Sequence, residues 1–250
     1  MTGRALYFTG PRSVEIRDKQ IAAPGSSEVR VRTERSSISP GTEMLVYRDE
    51  VPSELSVDET IDAFDDTFSY PLQYGYAAVG RVTAVGEAVD DEWLDRQVFA
   101  FNPHESHFIA DPETLVPTTL SRERALFIPN AETAVNFVMD ARPRIGARVV
   151  VFGQGPVGLL TTALLAEFPL SELVTVDHHE TRQQLSESLG ADRSVPPEAV
   201  DAALAEPADI ALELSGNPTA LDDPLDITGH AGRVLVGSWS GPKDASRDLR

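Results

Sequence analysis

One stretch of twenty residues, VVVFGQGPVGLLTTALLAEF at 149–168, limits the folds open to this chain more than any other. It joins an apolar run of strand length to an apolar segment of helical period through Gly153, Gly155 and Gly158, spaced G-x-G-x-x-G. Gly153 permits a tight turn, Gly155 lets the backbone approach a pyrophosphate, and Gly158 lets the helix pack close on the strand, with its N-terminal dipole facing the phosphates. Pro156 suits the helix start, where its missing N–H is not needed. The next strand-like run ends in Asp177, 19 residues past Gly158. A carboxylate there can accept hydrogen bonds from both ribose hydroxyls of an adenosine and would repel a 2′-phosphate, so the pattern points to a dinucleotide and favours NAD over NADP.

The candidate cofactor-binding set is Gly153, Gln154, Gly155, Pro156, Val157, Gly158, Asp177 and Arg182, with Ser215 and Gly237 from later strand ends. Asp177 has a second reading as a cap for a helix over 180–189. Arg182 could reach a 2′-phosphate, or run along that helix to solvent or the adenine edge. Ser215 and Gly237 follow strand-like runs at 210–214 and 233–236, where small residues let a ribose and nicotinamide lie on the backbone. As plain turn residues they would look the same.

The texture of the chain changes near Ala147. From there apolar strands at 148–152, 173–177, 210–214 and 233–236 alternate with helical segments at 157–167 and 180–189, the pattern of βα units around a parallel sheet. Before it, short alternating runs at 5–8, 14–17, 28–35 and 79–85, punctuated by prolines, predict an irregular β-rich barrel rather than helices. The acidic stretch 48–68 reads as a solvated excursion with room for a short helix. A Pro- and Gly-containing link at 141–146 sets the expected domains at 1–143 and 144–250.

Composition removes several classes of function. The formal net charge is −19, unsuited to nucleic acid or an anionic membrane, whose binders bring Lys and Arg to phosphates. Cysteine is absent, which excludes disulfides, thiolate zinc sites and cysteine nucleophiles. The N-terminus lacks the apolar run of a signal peptide or membrane span, so a soluble cytoplasmic protein is expected. The basic residues include only two lysines, Lys19 and Lys243, and the acid excess is spread along the chain, which points to a salt-adapted, halophilic surface.

Six segments, SSISPGTE at 36–43, GYAAVGRVTAVG at 75–86, HESHFIADPETLVP at 104–117, GQGPVG at 153–158, ELSGNP at 213–218 and GRVLVG at 232–237, stand in an order and spacing that resemble the medium-chain dehydrogenase/reductase family, the zinc alcohol dehydrogenase type. The resemblance implies an α/β protein with a GroES-like β-barrel domain followed by a Rossmann doubly wound parallel sheet, and hydride transfer between them. Zinc-dependent members carry a ligand cysteine before a Gly-Thr-acid turn and a ligand His-Glu in the second motif. Here Pro40 precedes Gly41-Thr42-Glu43, and Tyr76-Ala77 stand where His-Glu would. No metal is therefore expected, and the motifs look like a zinc-less branch that includes bacteriochlorophyllide-type dehydrogenases.

Without a Lewis acid a hydroxyl must move the proton, and the resemblance makes Thr42, in the place of a relay hydroxyl, and Tyr76 the catalytic candidates. Tyr76 has an alternative as a packed aromatic, Thr42 as a turn hydroxyl. His104 and His107, three apart on a strand-like segment, fall on opposite faces, against a metal pair, and His104 is a candidate cleft residue. His178 and His179 read as adenosine-pocket lining or surface. Family chains continue past the strand at 233–236, so the Rossmann sheet is expected to be truncated before its sixth strand, as a fragment or a short relative, with a homodimer covering the open edge. The expected function is a zinc-independent NAD(P)-dependent oxidoreductase acting on a small alcohol, carbonyl or activated alkene. The alternative is a dinucleotide-binding relative without catalysis, or a piece of a longer dehydrogenase.

Overall fold

The computed structural model describes residues 1–51 and 69–237. Most of the acidic stretch 48–68 and the tail 238–250, on which the expected missing sixth strand bears, lie outside the described residues. The chain divides into two compact units, Met1–Pro129 and Asn130–Arg250.

In the first unit β1 (Thr2–Gly10) and β2 (Ser13–Gln20) form an antiparallel hairpin in register from Thr2 opposite Gln20. β3 (Val29–Ser36) is followed by the short helix α1 (Thr42–Arg48), then by β4 (Ala78–Val85), β5 (Gln97–Ala100), β6 (His107–Ala110), β7 (Val116–Pro117) and α2 (Arg122–Ala125). The five later strands make an antiparallel sheet in the order β6-β3-β4-β5-β7. Alternation along β3 explains its place at the centre: Val29 and Val31 are fully buried against Val82, Val98 and Phe108, while Arg30 and Arg32 turn away. Glu34, nearer the end of β3, binds the Arg122 guanidinium of α2 and lies 3.7 Å from both Arg81 on β4 and Arg32. That cluster ties α2 to the sheet.

The second unit opens with α3 (Ile128–Ala141), which starts at the junction, and continues through β8 (Arg148–Phe152), α4 (Pro156–Leu165), β9 (Glu172–Val176), α5 (Glu180–Ser188), β10 (Arg193–Val195), α6 (Val200–Ala203), β11 (Ala208–Glu213), α7 (Asp222–Ile227) and β12 (Thr228–Val236). All strand pairs are parallel, in the order β10-β9-β8-β11-β12. Residues of β8 alternate between two cores, Val149 and Val151 on one face with Leu165, Leu173 and Leu212, and Val150 and Phe152 on the other with Val174 and Ala211. A sheet buried on both faces needs such continuous apolar strands. This is the expected α/β arrangement of a GroES-like unit followed by a Rossmann unit.

Two expectations change. The division falls between Pro129 and Asn130 rather than within 141–146, because α3 contributes Val138 and Ala141 to the Rossmann core. The same helix also corrects the reading of the first 144 residues as strands and loops: Pro129 stands in its first turn, and Ala134, Val138 and Ala141 form its buried stripe at helical spacing. Among the described residues no helix is long and apolar enough to cross a membrane.

The hydrogen bond from Arg122 holds the Glu34 carboxyl below its ordinary value of 4.5, assisted by the charges of Arg122, Arg81 and Arg32 and opposed by burial. A depressed folded-state pKa contributes stability above the unfolded value and loses it as pH falls through the folded one. Thermal melts of the full chain against Glu34→Gln should therefore show a gap in midpoint that is constant from pH 7 to about 5 and closes as the pH drops below 4.5. A gap independent of pH would mean that the cluster acts through packing alone.

Candidate functional site

In a sheet with this strand order the connections leave β8 and β11 in opposite directions, opening a crevice beyond their carboxyl ends. The glycine loop after β8 lies there. Gly153 has φ +86°, and a Cβ on it would stand 2.5 Å from the Cα of Ser215, so the loops after β8 and β11 touch. A Cβ on Gly158 would stand 1.9 Å from the carbonyl oxygen of Gly153, so α4 begins hard against the loop. Gly155 differs: no atom lies within 4 Å of where its Cβ would be. Its backbone is bare on the side a ligand would approach, just before Pro156 at the first turn of the ten-residue α4. Val157 is half-buried beside it.

Gln154 turns inward. Its side chain is fully buried, donating to the carbonyl of Val151 at 3.3 Å and accepting from Thr162 Oγ1 at 3.0 Å. Its backbone N–H donates to Asp177 Oδ2 at 2.8 Å. Asp177, only 7% exposed, also accepts from the His179 N–H through Oδ1 at 2.8 Å. The acid thus joins the end of β9 to the glycine loop and closes a turn at His179; it does not cap α5, whose N-cap is His179 without a side-chain bond. Arg182 directs its guanidinium to Asp177, 3.5 Å from Oδ2, rather than along α5, and remains 48% exposed. His178 and His179 are exposed.

Ser215 donates both its N–H and its hydroxyl to Glu213 Oε1, and Gly237 N–H donates to the Glu213 carbonyl at 2.9 Å. Glu213 is 2% exposed and was not among the sequence candidates. Its place directly after the apolar run 210–212 was the available signal. A Cβ on Gly237 would stand 2.1 Å from the Phe137 ring, so this glycine is demanded by packing.

The first unit gathers a second group of residues. Ser39 Oγ accepts from the Thr42 N–H at 3.3 Å, while Glu43 Oε1 accepts from the Ser39 N–H at 3.0 Å, a reciprocal pair that starts α1. The Thr42 side chain is half-buried. Tyr76 packs its ring on Ala77, Val79, Phe99 and Ala125. His104 lies between β5 and β6 with its side chain 10% exposed; Nε2 is 2.8 Å from Glu43 Oε2 and Nδ1 is 2.9 Å from Ser36 Oγ. His107 faces elsewhere, 3.2 Å from Ser106 Oγ, and burial, together with Arg30 and Arg32, lowers its pKa.

These residues do not fit a zinc ion. Pro40, Tyr76 and Ala77 supply no strong ligand, and among the described residues no three His, Asp or Glu side chains converge. Glu43 and His104 are bonded to each other. The glycine loop does fit a dinucleotide, because its one open glycine faces space and the others close the strand–helix turn.

The family model of zinc-binding dehydrogenases matches residues 156–249. L-threonine 3-dehydrogenase of Stenotrophomonas maltophilia is 23% identical over 267 residues, an overlap covering 90% of this chain and 74% of that enzyme. (R,R)-butanediol dehydrogenase of Bacillus subtilis is 28% identical over 206 residues, covering 68% of this chain and 59% of that enzyme. A solved structure from Sinorhizobium meliloti, described as a zinc-binding dehydrogenase and bound to NADP, superposes with a TM-score of 0.81 at 19% identity, over 99% of this chain and 80% of that one. With GroES-like and Rossmann units in this order and a glycine loop at the switch point, the chain is similar in fold and sequence to the zinc-binding dehydrogenases of the medium-chain dehydrogenase/reductase family.

Proposed function

We propose that this protein is a nicotinamide-dinucleotide-dependent oxidoreductase that interconverts an alcohol and a carbonyl without zinc. The observation that carries the reading is the bare backbone at Gly155 beside a buried Asp177, a cradle for a pyrophosphate next to an acceptor for ribose hydroxyls. When bound, the dinucleotide supplies a nicotinamide that takes or gives hydride. The chain's own residues bind and orient it: Gly153 to Gly158 the diphosphate, Asp177 the adenosine ribose, and Ser215 and Gly237 the far strand ends. The preferred form is NAD, because the Asp177 charge opposes a 2′-phosphate and the single Arg182 guanidinium is already directed at that carboxylate.

Thr42 and Tyr76 are the hydroxyls proposed to meet the substrate oxygen. Neither hydroxyl makes a hydrogen bond among the described residues. Zinc independence is supported by the ligand set as a whole, Pro40, Tyr76 and Ala77 together, rather than by any single residue. For substrate, the names of the relatives support an alcohol whose carbon neighbours a second polar group, as in butanediol and threonine. A homodimer in cytoplasm and a salt-adapted surface complete the reading.

Three measurements test it. Gly155→Ala should leave the melting temperature unchanged, since its Cβ meets nothing, yet weaken NADH by about tenfold or more, the equivalent of ~1.4 kcal/mol. Gly158→Ala should instead lower the melting temperature, because its Cβ collides with the Gly153 carbonyl. Equal effects of the two on stability would remove the phosphate-cradle reading.

Fluorescence titration should show NADH bound more tightly than NADPH. Asp177→Asn, which keeps an oxygen acceptor for the loop but removes the charge, should narrow that preference on the order of tenfold. Equal affinities in the unaltered protein would assign Arg182 to a 2′-phosphate instead.

Metal analysis of the purified protein should find no stoichiometric zinc, and chelation should change neither the melting temperature nor alcohol oxidation. One tightly held zinc per chain would overturn the metal-free assignment.

A further inference from the structure

Two long stretches of this acid-rich chain, 141–166 and 227–243, carry no Asp or Glu. Parts of both line one cavity of about 210 Å³ at the amino ends of β8, β11 and β12, wholly within the second unit. The five residues of β8 stand between it and the glycine loop, a separation of roughly 16 Å. The cavity is therefore no part of the dinucleotide cradle.

An irregularity in β12 gives the cavity its shape. Ala208 of β11 pairs with Thr228 and Ile210 with Arg233, so 229–232 stand out from the sheet between the two pairs. Ala231 in this projection has φ +64°, and Arg142 on the facing segment has φ +47°. Both hold left-handed backbone that residues with a Cβ seldom adopt. Buried Ala147 and Ile210 supply an apolar floor.

The lining is positive. Arg142, Arg144 and Arg233 face a single acid, Asp209, whose Oδ2 accepts the Arg148 N–H at 2.8 Å. Arg148 itself is paired with Glu172 and Glu206. Arg233 donates to the carbonyls of Asp140 and Ala141 at the end of α3, while the exposed side chains of Arg142 and Arg144 bond nothing among the described residues. A chain of net charge −19 repels anions at long range, so this concave surplus of positive charge stands against the field of the rest of the molecule.

We propose that this cavity binds a phosphate group, free or carried by a small molecule. Guanidinium groups take phosphate oxygens through paired N–H donors. The volume lies below the roughly 300–1,000 Å³ of pockets for larger organic ligands, which suits a small anion. Ile145, 87% exposed at the same cavity, offers an apolar surface to a short carbon chain on the phosphate. A phosphate held there ties the end of α3 to the starts of β8 and β12 and stabilises the folded unit by mass action. The proposal is independent of the oxidoreductase reading.

The test is calorimetric titration of the full chain with inorganic phosphate and with glycerol 3-phosphate, in sodium chloride of about 0.15 M to screen the acidic surface. One site per chain is expected, with a dissociation constant of about 1 mM or tighter. Arg144→Ala should weaken binding about tenfold without lowering the melting temperature of the unliganded protein, since the side chain it removes is bonded to nothing. Arg142→Gly, which suits the left-handed backbone, should do the same, and Arg144→Lys should keep most of the affinity. Arg124→Ala, an exposed arginine of the first unit, should change nothing. Tighter binding of glycerol 3-phosphate supports a phosphate monoester as the ligand, and equal binding supports the phosphate group alone. Because the glycine loop also suits phosphate, Gly155→Ala is titrated in parallel. Binding lost in Gly155→Ala and untouched in both arginine variants overturns the proposal. So does a titration that shows no saturation by about 10 mM phosphate.

Discussion

The bond between the Asp177 carboxylate and the Gln154 N–H holds the Rossmann unit's binding edge together. It spans two neighbouring strand ends, and it is buried, so the charge is compensated by the backbone N–H groups of Gln154 and His179 and by the Arg182 guanidinium. Hydrogen bonds to a charged acceptor contribute about 1.5–3 kcal/mol each, and an acid left without them here would be strongly destabilising. With Gln154 anchored from above by this bond and from below by Val151 and Thr162, the loop has one conformation available, in which Gly155 is the residue left open. Phosphate recognition by backbone depends on such rigidity, because an ordered loop loses little entropy when a ligand arrives.

The same device recurs at two other places. Glu213 closes the turn at Ser215 after β11, and Glu43 closes the turn at Ser39 before α1. Each is a buried acid whose oxygens accept from backbone N–H groups of a nearby turn. These three therefore differ in kind from the rest of the acidic surface. Solvated charges set the solubility and salt response of the chain; buried, bonded ones set the shape of its loops.

Among the described residues of the first unit, Pro40, Tyr76 and Ala77 bring no strong metal ligand. There Glu43 bonds the His104 imidazole and the Ser39 N–H, so one buried acid holds a ring and a turn in place.

Most of the Rossmann unit was legible in the sequence because its signals are local. The glycine spacing, the apolar runs and the acid 19 residues on are each set by neighbours along the chain, and the strands at 148–152 and 172–176 appear within a residue of expectation. The first unit was less legible, since short strands broken by proline leave register undetermined. α3 escaped notice because its buried stripe includes two alanines, Ala134 and Ala141, whose small side chains carry a weak periodic signal. His104 was visible only as a candidate. Its partners Ser36 and Glu43 lie 68 and 61 residues away, so no spacing rule connects them. By itself the sequence determined which segments bury and where a phosphate loop begins. Tertiary structure alone decided which polar side chains meet, because a hydrogen bond between distant residues depends on the packing of whole strands and helices and leaves no period in the chain.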